Sequence, residues 1–222
     1  MAAYPPHYFD IVWASPPCTE YSKAKSTGPR IEGALDDRHP PRDFAKTDDN
    51  VRAARHVIAQ LKPRYWFIEN ADGYLATRPL MQDIAQLRKD CTYCMYGTQY
   101  RKSTHIWTNA VLKAPLRKCS ALTPCAHKRL TGQHPVTAQS GDSHNARGSG
   151  SAVAVYPVPP RLIEALTEDC EWGIHENLTS VSLFHSITEQ VADSAQTDYG
   201  CSSLCFGVNL EETLQKAGPD FG

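Results

Sequence analysis

The sequence predicts an α/β fold built on a parallel βαβ unit, and three observations predict it. Two short runs rich in β-branched and aromatic residues, Tyr8-Phe9-Asp10-Ile11-Val12-Trp13-Ala14 and Tyr65-Trp66-Phe67-Ile68, are nearly continuous in hydrophobicity, as strands buried on both faces are. Between them, Val51, Ala54, Ile58 and Leu61 recur at helical spacing and fall on one face. Strand, helix and strand in that order give two parallel strands with a right-handed crossover.

The first run stops abruptly at Ser15-Pro16-Pro17, so the strand ends in a rigid loop. Residues 18–47 are polar, broken by Gly28-Pro29, Gly33 and Pro40-Pro41, and charged by Lys23, Lys25, Arg30, Arg38 and Arg42. A loop of that length is usually functional or disordered. Thr47 or Asp48 is expected to cap the helix, and Pro63 closes it. The second strand is followed at once by Glu69-Asn70. In a parallel pair both polar endings, Pro16-Pro17-Cys18 and Glu69-Asn70, lie at the carboxyl edge of one sheet, where ligands of open α/β sheets bind.

Further along, the pattern predicts a helix over residues 79–89, a strand over 92–96, another over 105–111, and an amphipathic helix over 160–166. Residues 113–151 are rich in Pro, Gly, Ser, His and Lys/Arg, the composition of an irregular insertion. The expected organisation is a catalytic region over 1–112, the insertion over 113–151, a returning helix of the core over 152–170, and a tail of unassigned role over 171–222.

With 222 residues, 41% of them hydrophobic, the chain can bury one substantial core. A formal charge of −1 excludes the protein-wide positive field of a coating nucleic-acid binder, so any nucleic-acid contact is local. No run is long and apolar enough for a membrane span, and the first ten residues, MAAYPPHYFD, lack a signal-peptide pattern. The expectation is a soluble intracellular protein whose 8 cysteines stay reduced. The sequon at Asn177-Leu178-Thr179 is then a chance match.

Cys18 follows two prolines that fix its backbone approach at the end of a buried strand, an arrangement suited to a reactive thiol. The plain alternative is a small buried hydrophobe. The segment Ser15-Pro16-Pro17-Cys18-Thr19-Glu20-Tyr21-Ser22 resembles the catalytic-loop motif of cytosine-C5 methyltransferases, and Ile68-Glu69-Asn70 resembles that family's Glu-Asn motif. Gln99-Tyr100-Arg101-Lys102-Ser103, ahead of His105-Ile106-Trp107-Thr108-Asn109, is similar to its Gln-x-Arg-x-Arg motif, with Ser103 in place of the second arginine. The likeness covers residues 8–112, and more loosely Tyr156-Pro157-Val158-Pro159-Pro160-Arg161-Leu162.

The resemblance implies an incomplete Rossmann-like sheet of an S-adenosylmethionine-dependent methyltransferase with an irregular insertion, acting on C5 of cytosine in DNA through a covalent cysteine adduct. Cytosine C5 becomes nucleophilic only after addition at C6, for which a thiolate serves, while an acid neutralises charge developing at N3. Cys18 is then the nucleophile, Glu69 the acid, whose protonation calls for a raised pKa, and Arg101 the group holding the base carbonyl or a phosphate. The ordinary roles for Glu69 are a helix cap or a pair with Arg64. Ser15, Pro16, Pro17 and Asn70 are expected to face the cofactor. Ser22, Lys23, Lys25, Arg30 and Lys102 are expected to face the nucleic acid, whose target base must leave the helical stack.

In this family a glycine-rich turn and an acidic residue upstream of the Pro-Pro-Cys motif hold the cofactor. No Phe-x-Gly-x-Gly pattern precedes Tyr8, so a fragment is expected, or a split enzyme whose partner chain supplies the N-terminal cofactor-binding half, with an open edge on the first strand. An amino methyltransferase is disfavoured by Ser15 and Cys18. A C5 methyltransferase acting on RNA, and a catalytically inactive nucleic-acid-binding relative, stay open.

Cys91-x-x-Cys94 has zinc-like spacing, but a strand would turn the two thiols apart, so both are expected to be structural. Cys119, Cys125, His127 and His134 make a better zinc set in the insertion, although their spacing matches no standard finger and no metal ligand is assigned.

Overall fold

A computed structural model describes residues 4–23, 42–136, 158–168 and 170, together with the backbone of 204–208. The first buried run forms β1 (Ile11–Ser15), the amphipathic stretch forms α1 (Phe44–Leu61), and the second run forms β2 (Tyr65–Ala71). Strands β1 and β2 pair in parallel, with Ile11 opposite Tyr65 and Ala14 opposite Ile68, as the βαβ reading requires.

Two 3-10 segments, Tyr74–Thr77 and Pro79–Leu87, lead into β3 (Arg88–Thr92), and a 3-10 turn, Tyr93–Tyr96, leads on to β4 (Ser103–Thr108). The later elements are α2 (Ala126–Thr131), α3 (Pro160–Thr167) and β5 (Leu204–Val208). The sheet order is β3-β4-β2-β1-β5, with β4 antiparallel to both β2 and β3, and β5 antiparallel to β1. This is a mixed α/β architecture compatible with a methyltransferase fold.

Period-2 alternation divides the core into two layers. Ile11 and Trp13 of β1, Phe67 of β2 and Ile106 of β4 pack on one face with Leu162, Ile163 and Leu166 of α3. Ala14, Ile68 and Trp107 turn to the other face, against Val51 and Ala54 of α1 and Leu75 and Met81 of the 3-10 segments. Trp13 and Phe67 stack across the parallel pair at 5.5 Å between ring centroids.

Several expected boundaries move, each for a local reason. Helix α1 begins a turn early because Asp43, not Thr47 or Asp48, accepts the Lys46 backbone N–H at 3.2 Å; Thr47 and Asp48 lie buried inside the helix. Strand β2 runs on through Glu69 and Asn70, which pair with Ile106 and His105 of β4. Residues 79–87 wind as 3-10 rather than α-helix, and the strand expected at 92–96 lies instead at Arg88–Thr92. Tyr93 and Tyr96 recur at a spacing of three, which a 3-10 turn eclipses, so both enter the α3-side core while Cys94 joins a separate cluster. Strand β4 stops at Thr108 because the Asn109 side chain takes over its edge bonding, accepting from Trp66 N and donating to Arg64 O, both at 2.9 Å.

The edge of β1, expected to be open, is covered by β5 from the tail, with Ile11 opposite Val208 and Ser15 opposite Leu204. No helix among the described residues is long and apolar enough to cross a membrane.

Candidate active site

Parallel pairing brings the Pro-Pro-Cys loop and the Glu-Asn pair to the same sheet edge, and backbone contacts lock them together. Asn70 Nδ2 donates to Pro16 O at 2.9 Å. The Cys18 carbonyl accepts from Tyr21 N at 3.0 Å and Ser22 N at 2.8 Å, closing a tight turn behind the thiol. Ser22 bridges to Gly73, and Tyr74 N donates to Tyr21 O at 2.9 Å. A Cβ on Gly73 would stand 2.1 Å from Tyr21 O, so this approach requires glycine. The base of the loop is held by Arg42, which donates to the Glu20 and Ser22 carbonyls, and by Asp43 N, which donates to Glu20 Oε2 at 2.9 Å.

Cys18 is a half-buried thiol in no disulfide. Glu69 is 6% exposed, and its Oε1 accepts from Tyr93 OH at 2.9 Å and from Lys102 Nζ at 3.2 Å. Burial pulls the Lys102 ammonium down, but the Glu69 carboxylate, the Cys18 sulfur and the hydrogen bond to Glu69 outweigh it and hold Lys102 above its ordinary value. Lys102 is therefore a cation that feels both the thiol and the carboxylate. The Tyr93 phenol, buried against Glu69, is pushed well above its ordinary value by desolvation and by that carboxylate. Two buried polar atoms at this edge, Asn70 Oδ1 and Tyr100 OH, have no hydrogen-bond partner among the described residues.

The remaining expected residues are distributed as follows. Ser15 Oγ accepts from Trp13 Nε1 at 2.8 Å. Pro17 lies in the loop ahead of Cys18. Arg101 is exposed, and Lys102, expected to face nucleic acid, instead turns inward to Glu69, whose partner is thus Lys102 and not Arg64. Lys23 pairs with Asp72 at 2.8 Å, and Ser103 opens β4. Lys25, Arg30, Tyr156 and Pro157 lie outside the described residues.

Three contributors escape sequence reasoning: Lys102 as a site cation, Tyr93 as a donor to Glu69, and His105. The His105 ring joins Asp72 through Nε2 at 3.2 Å to Asp90 through Nδ1 at 2.8 Å. The Asn70–His105 register opposite the Glu-Asn pair is the signal for His105, and it exists only once β2 and β4 are aligned.

No family model matches the chain, and no solved structure matches it. The chain is 27% identical over 170 residues to a probable DNA (cytosine-5)-methyltransferase of Frog virus 3 (isolate Goorha), covering 74% of this chain and 77% of that protein. The chain is thus similar to one probable DNA (cytosine-5)-methyltransferase over about three quarters of its length. In this chain, the segments that carry the resemblance converge on a single edge. Cys18 and Asn70 come from the parallel pair, Glu69 from the strand between β1 and β4, and Lys102 from the residue before β4.

Proposed function

We propose that this chain is a DNA (cytosine-5)-methyltransferase on a Rossmann-like sheet, transferring a methyl group from S-adenosylmethionine to C5 of cytosine through a Cys18 adduct. The observation that carries the reading is the meeting of the Pro-Pro-Cys loop and the Glu-Asn pair at one sheet edge, where Asn70 Nδ2 donates to Pro16 O at 2.9 Å and Lys102 pairs with Glu69 at 3.2 Å. A nearby ammonium favours the thiolate, the nucleophilic form of cysteine.

The Cys18 thiolate adds to C6 of the flipped base, forming an S–C bond as the C5–C6 π pair moves into the ring. N3 takes a proton through Glu69, whose carboxylate receives it from the Lys102 ammonium at 3.2 Å on Oε1 and leaves Lys102 a neutral amine, while Tyr93 holds the same oxygen. C5 is then an enamine carbon, and S-adenosylmethionine supplies the methyl group it takes. Loss of the C5 proton to water, return of the N3 proton through Glu69 to Lys102 and expulsion of the Cys18 thiolate restore the aromatic ring.

Asn70 Oδ1, buried and unpartnered among the described residues, offers an acceptor for a donor group of the cofactor, beside Ser15, Pro16 and Pro17. Arg101, exposed next to Lys102, is the residue for a phosphate or base carbonyl, and Ser22 and Lys23 flank the loop on the nucleic-acid side.

The test is covalent trapping with 5-fluorocytosine DNA and S-adenosylmethionine, comparing the chain with Cys18→Ala. A denaturation-stable protein–DNA adduct that disappears in the variant is expected. An adduct formed only with 5-fluorocytosine RNA transfers the reading to RNA. Gel-shift binding of DNA without an adduct on either nucleic acid overturns it in favour of a binding protein.

A further inference from the structure

We infer that Cys94, Cys119, Cys125 and His134 form a structural zinc site that clamps the insertion onto the turn beside the candidate active site. Their ligand atoms all lie within 4.8 Å of one another. Cys119 Sγ is 3.7 Å and Cys125 Sγ 3.3 Å from the same atom, His134 Nε2. A tetrahedral zinc with Zn–S bonds of about 2.3 Å has ligand–ligand edges of roughly 3.8 Å, so the group is close to the required geometry before any metal enters. Two sulfurs converging on one ring nitrogen leave at most one ordinary hydrogen bond between them. A cation at the centre satisfies all four groups.

The donor set itself points to the metal. Three thiols and one imidazole make a soft, closed tetrahedral set, which selects zinc over the hard cations that carboxylates bind. Cys119 Sγ also receives an outer donor, as metal thiolates do: Cys125 N donates to it at 3.3 Å, while Cys94 Sγ sits 3.6 Å from the Thr92 Oγ1 acceptor. The same Thr92 Oγ1 accepts from Cys119 N at 2.7 Å.

A second, independent observation is how little else among the described residues holds this segment. Helix α2 buries none of its residues, and Leu122 and Leu130 are 94% and 83% exposed. Among the described residues, the buried cluster beneath it consists of Cys94, Cys119 and Cys125 with Met95 packed against them. A segment that cannot bury an apolar core needs a metal or a disulfide to hold its shape. The set differs from the one the spacing favours, because the 3-10 turn delivers Cys94 and His127 is not among the converging groups.

The site has a structural consequence. Cys94 follows Tyr93, whose hydroxyl donates to Glu69, and Val136, two residues past His134, bridges to Tyr100. Zinc would thus fix both the turn that serves the Glu69 carboxylate and the segment that carries Arg101 and Lys102.

The decisive experiment is metal analysis of the full chain purified without added chelator, with cobalt loaded in place of zinc and with Cys119→Ser, His134→Ala and His127→Ala compared. About one zinc per chain is expected, with a cobalt spectrum showing thiolate charge-transfer absorption and tetrahedral d–d bands. Cys119→Ser and His134→Ala are expected to drop the metal content severalfold or more, and His127→Ala to keep it. Zinc near zero in the unaltered chain, a Cys119–Cys125 disulfide by mass, or loss of metal in His127→Ala with retention in His134→Ala would each overturn the assignment. The stoichiometry and cobalt spectrum of the unaltered chain decide the matter even if a variant fails to fold.

Discussion

Lys102 Nζ lies 3.2 Å from Glu69 Oε1, with side chains only 15% and 8% exposed. The pair is largely shielded from water at the sheet edge that also carries the Pro-Pro-Cys loop, so each charge depends on the other. Removing one partner of such a pair typically costs about 3–5 kcal/mol because the other is left buried and uncompensated.

Lys102→Met is therefore expected to lower unfolding stability by an amount toward that range and to abolish trapping on 5-fluorocytosine DNA. The double variant Lys102→Met/Glu69→Gln should recover most of the stability but none of the trapping. Urea unfolding beside the trapping assay separates the two effects. Trapping at the unaltered rate in Lys102→Met would remove Lys102 from the chemistry.

Gly73→Ala tests the lock between the two motifs. The Gly73 backbone is extended, at φ −173°, which any residue adopts, so the effect is purely steric: the new methyl meets Tyr21 O at 2.1 Å. Displacing backbone of this kind costs on the order of 1–3 kcal/mol. The trapping rate should fall with it, because Tyr21 N and Ser22 N hold the Cys18 carbonyl. A variant that melts and traps as the parent does would show that the loop is positioned by other contacts.

Asp48 sets an acid limit on stability. Burial pushes its carboxyl up, but hydrogen bonds from Arg78 and Tyr21 and the charges of Arg78 and Arg52 outweigh this and hold it below the ordinary carboxylate value. Asp72, Asp83 and Asp90 are shifted in the same direction. A carboxyl depressed in the folded state stabilises fully above its unfolded value of about 3.9 and ceases to do so as pH falls through the folded value. The contribution of these carboxyls should be level from neutral pH to about pH 5 and decline progressively below about pH 4. Asp48→Asn should be less stable at pH 7 by about 1–3 kcal/mol, with a shallower acid decline. Urea midpoints across a pH series provide the check, and an unchanged acid slope in the variant would count against this network.

Trp107 is fully buried between β4 and the α1-side core, so Trp107→Ala should cost about 3–5 kcal/mol. A shift in urea midpoint well under that range would mean that the cavity collapses or that this layer is loosely packed.

The sequence by itself determined the βαβ unit, the burial of its two strands on both faces and the placing of the Pro-Pro-Cys loop and Glu69-Asn70 at one sheet edge. All three follow from local signals: hydrophobic runs of strand length, a helical stripe, proline stops, and the rule that parallel strands end on the same edge. Tertiary structure alone decided that Lys102 turns inward while Arg101 stays outside, that Tyr93 reaches Glu69, that Cys94 joins Cys119, Cys125 and His134, and that β5 covers the β1 edge. Each of those depends on the register of an antiparallel pairing or on a turn of spacing three inside an apolar run that also fits a strand. Spacing along the chain does not encode which distant groups such a register brings face to face, because a slip of one residue turns every side chain to the opposite face.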